Sequence, residues 1–308
     1  MIISASRRTD IPAFYSEWFL NRIKEGFLLV PNPGNPNQLS RIDLSPNKID
    51  CIVFWTKNPA PLVAGLDILD KSGYSYYFEF TLNAYGNDIE KNLPAKEKII
   101  TTFKELAAKL GQERVDWRFD PIILNKQFFA ERHLECFYNI CKQLHKYTNR
   151  CIISFVDTYS HISREFVNPK EEDIYKLADG LSRIAKEFDL PLFTCSEQID
   201  LSAYNIKHAS CIDKTKIEKL VGYSIDAKKD SSQRKMCGCI KSTDIGIYNT
   251  CQHGCTYCYA TTSEKTVLTQ VKNHNQHSPL LTGFPSGRET ITTRVSSKKE
   301  KNQELLFD

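Results

Sequence analysis

A chain of 308 residues with 41% hydrophobic and 25% charged side chains can bury a sizeable core and is too apolar for a disordered polymer. Its net charge of +4 is mildly basic, which permits a nucleic-acid partner without requiring one. No apolar run approaches the ~18 residues of a membrane span, and Met1 to Arg8 lack the charged-then-apolar order of a signal peptide, so a cytoplasmic protein with no membrane partner is expected.

In chain order, β-rich runs stand at 2–6, 50–56, 75–82, 116–123, 150–156, 190–195 and 243–249. Amphipathic helical stretches near 13–25, 94–110, 128–146 and 170–188 lie between most of them. Segment 27–44 interrupts the pattern, its Asn32-Pro33-Gly34-Asn35-Pro36-Asn37 centre predicting a turn between two short extended arms. Alternation of strand and helix predicts an α/β fold of parallel strands joined by right-handed crossovers, a partial or full TIM-like (β/α) barrel or an open sheet. After Thr262 the apolar signal fades, and 294–302 is expected to be a charged, disordered tail.

Eleven cysteines in a chain of this kind point to metal binding in a reducing compartment. Cys251, Cys255 and Cys258 are spaced Cys-x3-Cys-x2-Cys, with Tyr257 before the last. Three thiolates so close can grip three irons of a 4Fe-4S cluster and leave the fourth open to S-adenosylmethionine through its amino and carboxylate groups. This is the radical-SAM spacing, and Tyr257 stands where such motifs carry an aromatic. Zinc ribbons favour paired Cys-x2-Cys knuckles, and no second knuckle follows here. The expected activity is reductive cleavage of S-adenosylmethionine to a 5′-deoxyadenosyl radical for C–H activation, fed by an electron donor such as flavodoxin or ferredoxin. The substrate stays open between a DNA or RNA base or lesion and a small metabolite or peptide. The alternative is a non-catalytic iron–sulphur or zinc protein with a redox or structural role.

In other radical-SAM proteins the cysteine motif follows the first strand of a six-strand partial barrel, whereas here it follows the last run, 243–249. A circularly permuted radical-SAM barrel accounts for this, with 2–6, 50–56, 75–82, 116–123 and 150–156 as strands two to six. Residues 1–275 then form one domain, with 157–242 as a cysteine-bearing bridge across the open side and 276–308 as a mostly flexible tail. A full eight-strand barrel would add 190–195 and one strand the sequence does not reveal.

Ser6-Arg7-Arg8-Thr9-Asp10-Ile11-Pro12, Phe54-Trp55-Thr56-Lys57-Asn58-Pro59, Arg118-Phe119-Asp120-Pro121 and Cys237-Gly238-Cys239 carry a wider likeness. Over roughly 1–260 the chain resembles a family catalogued only as a domain of unknown function, described as bearing a C-terminal cysteine cluster like that of radical-SAM proteins. The cluster motif is also similar to that of spore photoproduct lyase. The resemblance implies a cofactor and a fold, and no substrate.

Parallel α/β barrels do their chemistry at the C-terminal ends of strands. Ser6, Arg7, Arg8, Thr9 and Asp10 end the first run, where radical-SAM proteins bind the methionine amino group with a Gly-Gly-Glu segment that is absent here. Arg7 or Arg8 offers a fork for a carboxylate or phosphate. Thr56, Lys57 and Asn58, then Thr81 and Asn83, end the next two runs, while Asp120 and Asp157 are carboxylates suited to a ribose hydroxyl or a substrate donor. With Tyr257, the residues Ser6, Arg7, Arg8, Asp10, Thr81, Asn83 and Asp120 are the expected cofactor contacts. Tyr248, Tyr257 and Tyr259 are expected to line the site, where a tyrosine can also relay hydrogen. Cys195, Cys211, Cys237 and Cys239 supply four further thiolates, enough for a second 4Fe-4S cluster or a zinc; Cys51, Cys136, Cys141 and Cys151 are expected in the core. Finally, Gln303-Glu304-Leu305-Leu306-Phe307 resembles peptides that dock on the bacterial DNA sliding clamp.

Overall fold

The structure, a computed structural model, describes residues 1–159, 162, 166 and 168–294. Its first half runs β1 (Ile2–Ala5), α1 (Ile11–Phe14), α2 (Ser16–Glu25), β2 (Phe27–Asn32), β3 (Asn35–Asp43), β4 (Cys51–Thr56), α3 (Ala60–Val63), α4 (Leu66–Lys71), β5 (Tyr76–Thr81) and α5 (Lys96–Leu110). The second half runs β6 (Val115–Ile122), α6 (Ala130–Leu144), β7 (Cys151–Phe155), α7 (Glu171–Glu187), β8 (Leu192–Cys195), β9 (Lys207–Ala209), α8 (Lys214–Val221), β10 (Thr243–Asp244), α9 (Glu264–Asn273) and β11 (Thr290–Arg294).

Eight strands form one all-parallel sheet in the order β10-β1-β4-β5-β6-β7-β8-β9. The sheet therefore starts near the C-terminus, passes to the N-terminal strand and then follows chain order. It is open: among the described residues its edge strands β10 and β9 do not pair with each other, so TIM-barrel closure is not seen. Segment 157–242 does more than bridge, because β8 and β9 extend the sheet beyond β7. Strand β9 escapes sequence inspection because it is three residues long and largely exposed.

A two-residue period sorts the side chains between the sheet's faces. Ile52 and Phe54, Tyr76, Phe78 and Phe80, Trp117 and Phe119, and Ile153 and Phe155 join the main apolar core with Phe103, Phe137 and Leu177 of α5, α6 and α7. The opposite parity, on the inner face, carries a second apolar cluster with Ile2, Cys51, Val53, Tyr77 and Ile152, with Trp55 and Cys195 packed against it, and the polar Ser4, Glu79, Arg118, Asp120 and Ser154. Because every pair is parallel, the C-terminal ends of these strands open on the same side.

Strand β10 is shorter than the 243–249 run. The Asp244 carboxylate accepts from the Ser4 and Ser6 hydroxyls at 2.9 and 2.6 Å, from Arg7 N at 2.9 Å and from Gly246 N at 3.0 Å. Its turn back onto Gly246 N takes the chain out of the ladder. The expectation of a loose tail from residue 276 also fails over its first part. Backbone carbonyls of Gln276, His277 and Ser278 accept from Asn21, Arg22 and Trp18 side chains, and Leu281 is buried. Strand β11 then pairs in parallel with β3, which forms the predicted hairpin with β2. Carbonyl contacts leave no apolar signature, so composition alone missed them. The peptide Gln303 to Phe307 lies outside the described residues.

Candidate functional site

At the strand ends lies a cavity of about 440 Å³. Ser6, Arg7, Arg8, Thr9 and Asp10 line it after β1, Trp55, Thr56 and Lys57 at the end of β4, and Thr81 at the end of β5. Arg118 and Asp120 come from β6, Ser154 from β7 and Cys195 from β8. Cys211, Cys237 and Cys239 also reach it, as do Cys251, Cys255, Tyr257, Cys258 and Tyr259. Residues far apart in the chain thus meet in one place.

The Cys251–Cys258 loop is held by contacts from three other segments. Tyr15 Oη donates to Thr250 O at 2.6 Å, Asn92 N to His253 O at 3.0 Å, and Thr256 N to Ile89 O at 2.9 Å. His253 Nε2 and Asp10 Oδ2 share a hydrogen bond of 2.7 Å, and Tyr259 Oη donates to Arg7 O at 2.5 Å. Gly254, at φ +66°, turns the loop in the left-handed region, where a side chain would be strained. The three thiols stand half-buried around the cavity. Burial pushes Cys251 well above the ordinary thiol range and Cys255 up to about 12. Such thiols stay protonated unless a cation compensates the thiolate charge, which a metal does.

Glu90 is the centre of the cysteine loop's support. Its Oε1 accepts from Lys57 Nζ at 2.8 Å, Tyr257 Oη at 2.5 Å and Asn83 Nδ2 at 3.3 Å, while Oε2 accepts from Lys96 Nζ at 2.6 Å. Burial alone would raise this carboxyl, but the two lysines outweigh it and hold it down to about 2. Asn83, expected as a cofactor contact, does not line the cavity. Its amide is spent on Asp120 O and N, Tyr257 and Glu90, so it braces the wall from behind.

Asp120 is likewise committed. Arg118 Nε donates to its Oδ2 at 2.9 Å, and Ser154 Oγ donates to its Oδ1. Arg118 also reaches Glu79 Oε2 at 3.1 Å and Cys211 Sγ at 2.7 Å. Arg7 and Arg118 both lie over the Trp55 ring, each 5.2 Å from its centroid. Arg7 Nη2 is buried without a hydrogen-bond partner among the described residues, and Arg8 lies over Tyr248 at 5.0 Å. A guanidinium edge left open in a cavity can take an anionic group of a ligand.

Sequence inspection did not single out Glu90, His253 or Trp55 as site residues. Glu90 sits in a loop, aligned only by a bridge to Cys255 across 165 positions of chain. His253 lies inside the cysteine motif, and Trp55 has the parity of the inner face; those two signals were available. Among the described residues no group of three or more Cys, His, Asp or Glu is already arranged around the position of a metal ion. Ligands of a cubane sit on separate irons, so they need not converge on one point. The donor set, three thiols and an open cavity, fits a cluster with one free iron.

Residues 2–260 match the family described as "Domain of unknown function (DUF1848)". The chain belongs to this family. No curated protein matches it. Among solved structures, one match is described as a "putative alpha-L-fucosidase from Bacteroides thetaiotaomicron VPI-5482", at 11% identity over 57% of this chain and 72% of that one. Its TM-score of 0.26 is too low to carry any inference about fold or chemistry. No helix among the described residues of this family member is long and apolar enough to cross a membrane.

Proposed function

We propose that this chain is a radical S-adenosylmethionine enzyme working in the cavity at the strand ends. One observation carries the assignment: Cys251, Cys255 and Cys258, at the radical-SAM spacing, border the same cavity as the strand-end residues Ser6 to Asp10, Lys57, Thr81 and Asp120. The strand order β10-β1-β4-β5-β6-β7 supports it, being that of a six-strand radical-SAM barrel whose cysteine-bearing strand has moved to the end of the chain. A bound 4Fe-4S cluster would supply the electron that cleaves S-adenosylmethionine to methionine and a 5′-deoxyadenosyl radical.

The protein's own part follows from its residues. Cys251, Cys255 and Cys258 would hold three irons, with the loop kept in place by Asp10, Glu90 and Asn92. Arg7, with an open guanidinium edge, would receive the carboxylate of S-adenosylmethionine or an anionic group of the substrate. Trp55, with two guanidinium groups near its ring, and Tyr257 would wall the cavity against water. An external donor of the flavodoxin or ferredoxin kind would deliver the electron.

Anaerobic reconstitution with iron and sulphide, followed by dithionite and S-adenosylmethionine, tests the assignment. We expect 5′-deoxyadenosine from the wild type and none from the Cys251→Ala/Cys255→Ala/Cys258→Ala variant, which should lose about four irons per chain. A full, reducible cluster that leaves S-adenosylmethionine intact would overturn it in favour of a non-catalytic iron–sulphur protein.

A further inference from the structure

We propose that Cys195, Cys211, Cys237 and Cys239 form a second metal site, four thiolates for one tetrahedral ion of the zinc class. These residues line the same cavity as the Cys251 loop but come from the other edge of the sheet: the loop follows edge strand β10, whereas Cys195 ends β8 and Cys211 follows β9.

Three separate segments bring these sulphurs together. Cys195 Sγ and Cys211 Sγ are 3.0 Å apart. Ile212 N donates to Cys239 Sγ at 3.3 Å, which brings the Cys237–Cys239 turn up beside Cys211, and all four cysteines line one cavity. Gly238 lets the Cys-Gly-Cys turn fit, because a Cβ there would lie 2.5 Å from Ser210 Oγ. Sulphurs bound to one ion at about 2.3 Å sit on the edges of a small tetrahedron, close to contact. Ligands of a cubane each take their own iron and stand further apart. The close Cys195–Cys211 pair therefore favours a single ion over a second cluster. Among the described residues the four thiols do not yet surround one point, so the ion's part would be to draw them into a tetrahedron, with the thiol protons released to solvent.

Charge and hydrogen bonding point the same way. Arg118 Nη1 donates to Cys211 Sγ at 2.7 Å from a side chain only 6% exposed, and Ile212 N donates to Cys239 Sγ at 3.3 Å. Donors aimed at sulphur suit thiolates, which are far better acceptors than thiols. Arg7 is a second cation on the same cavity wall. A divalent ion with four thiolates keeps two negative charges, which Arg118 would offset in part, its guanidinium being shared with Glu79 and Asp120. Since Arg118 also holds Asp120, the ion would fix that carboxylate on the cavity wall.

The test uses the full-length Cys251→Ala/Cys255→Ala/Cys258→Ala variant, so its outcome is independent of the radical-SAM assignment. Titrating the reduced, anaerobic protein with Co²⁺ should give the visible bands of tetrahedral thiolate-bound cobalt at one ion per chain, bleached by equimolar Zn²⁺. Adding Cys195→Ser or Cys237→Ser should weaken Co²⁺ binding at least tenfold while circular dichroism stays unchanged. Absence of those bands in the folded protein, an octahedral cobalt spectrum, or uptake of a four-iron cluster by this variant on reconstitution with iron and sulphide would overturn the proposal. Should the triple variant not fold, elemental analysis of the wild type decides: about one tightly held zinc per chain upholds the site, and none refutes it.

Discussion

Replacing Glu90 by Gln keeps its shape and removes its charge, which isolates the electrostatic role of this carboxylate. The side chain is 1% exposed and faces two ammonium groups, Lys57 at 2.8 Å and Lys96 at 2.6 Å. Removing one partner of a buried pair typically costs about 3–5 kcal/mol, because the other charge is left uncompensated. The carboxyl's own titration gives a second route to the magnitude. Held at about 2 in the fold against about 4.3 unfolded, it contributes roughly 3 kcal/mol at neutral pH. A group whose folded pKa is depressed contributes fully above its unfolded value and loses that contribution as pH falls through the folded one. The stability gap between wild type and Glu90→Gln should therefore be about 3 kcal/mol at pH 7 and about 1 kcal/mol at pH 3. Urea unfolding of both proteins at the two pH values measures it. A gap below about 0.5 kcal/mol, or one that does not narrow in acid, would refute the charge argument and leave only a packing role.

Two further substitutions probe the frame of the site. Asp10→Ala removes the cap to Ala13 N at 2.9 Å, the acceptor for Lys57 N at 2.7 Å and the partner of His253. We expect a loss of about 2–4 kcal/mol in urea unfolding, with weaker iron retention after reconstitution, and a smaller loss for Asp10→Asn. Gly246→Ala would set a Cβ 2.1 Å from Ser6 Oγ, a hydroxyl fixed on Asp244 at 2.6 Å. The expected cost is about 1–3 kcal/mol, partly relieved by adding Ser6→Gly; no relief in the double variant would show that the crowding lies elsewhere.

The strand runs, the main helices and the cysteine motif were legible in the sequence because each rests on local pattern. Period two marks strands that bury a face, period near 3.6 marks helices packed on them, and Cys251, Cys255 and Cys258 lie within eight residues. Their place at the C-terminal ends of predicted parallel strands made Ser6, Thr81 and Asp120 candidate site residues, since those ends share one side of a sheet. The expected circular permutation also put the last strand beside the first, and β10 does pair with β1.

Long-range pairing decided the rest. Nothing local tells that Glu90 lies under Tyr257, that Asn83 braces the wall instead of lining it, or that Arg118 points at Cys211; those contacts exist only once β5, β6 and the loops are in register. Strand β9 and the anchored segment 276–294 were hidden for a related reason. Their order comes from backbone hydrogen bonds to partners far along the chain, and a carbonyl oxygen is the same in every residue, so composition carries no trace of it.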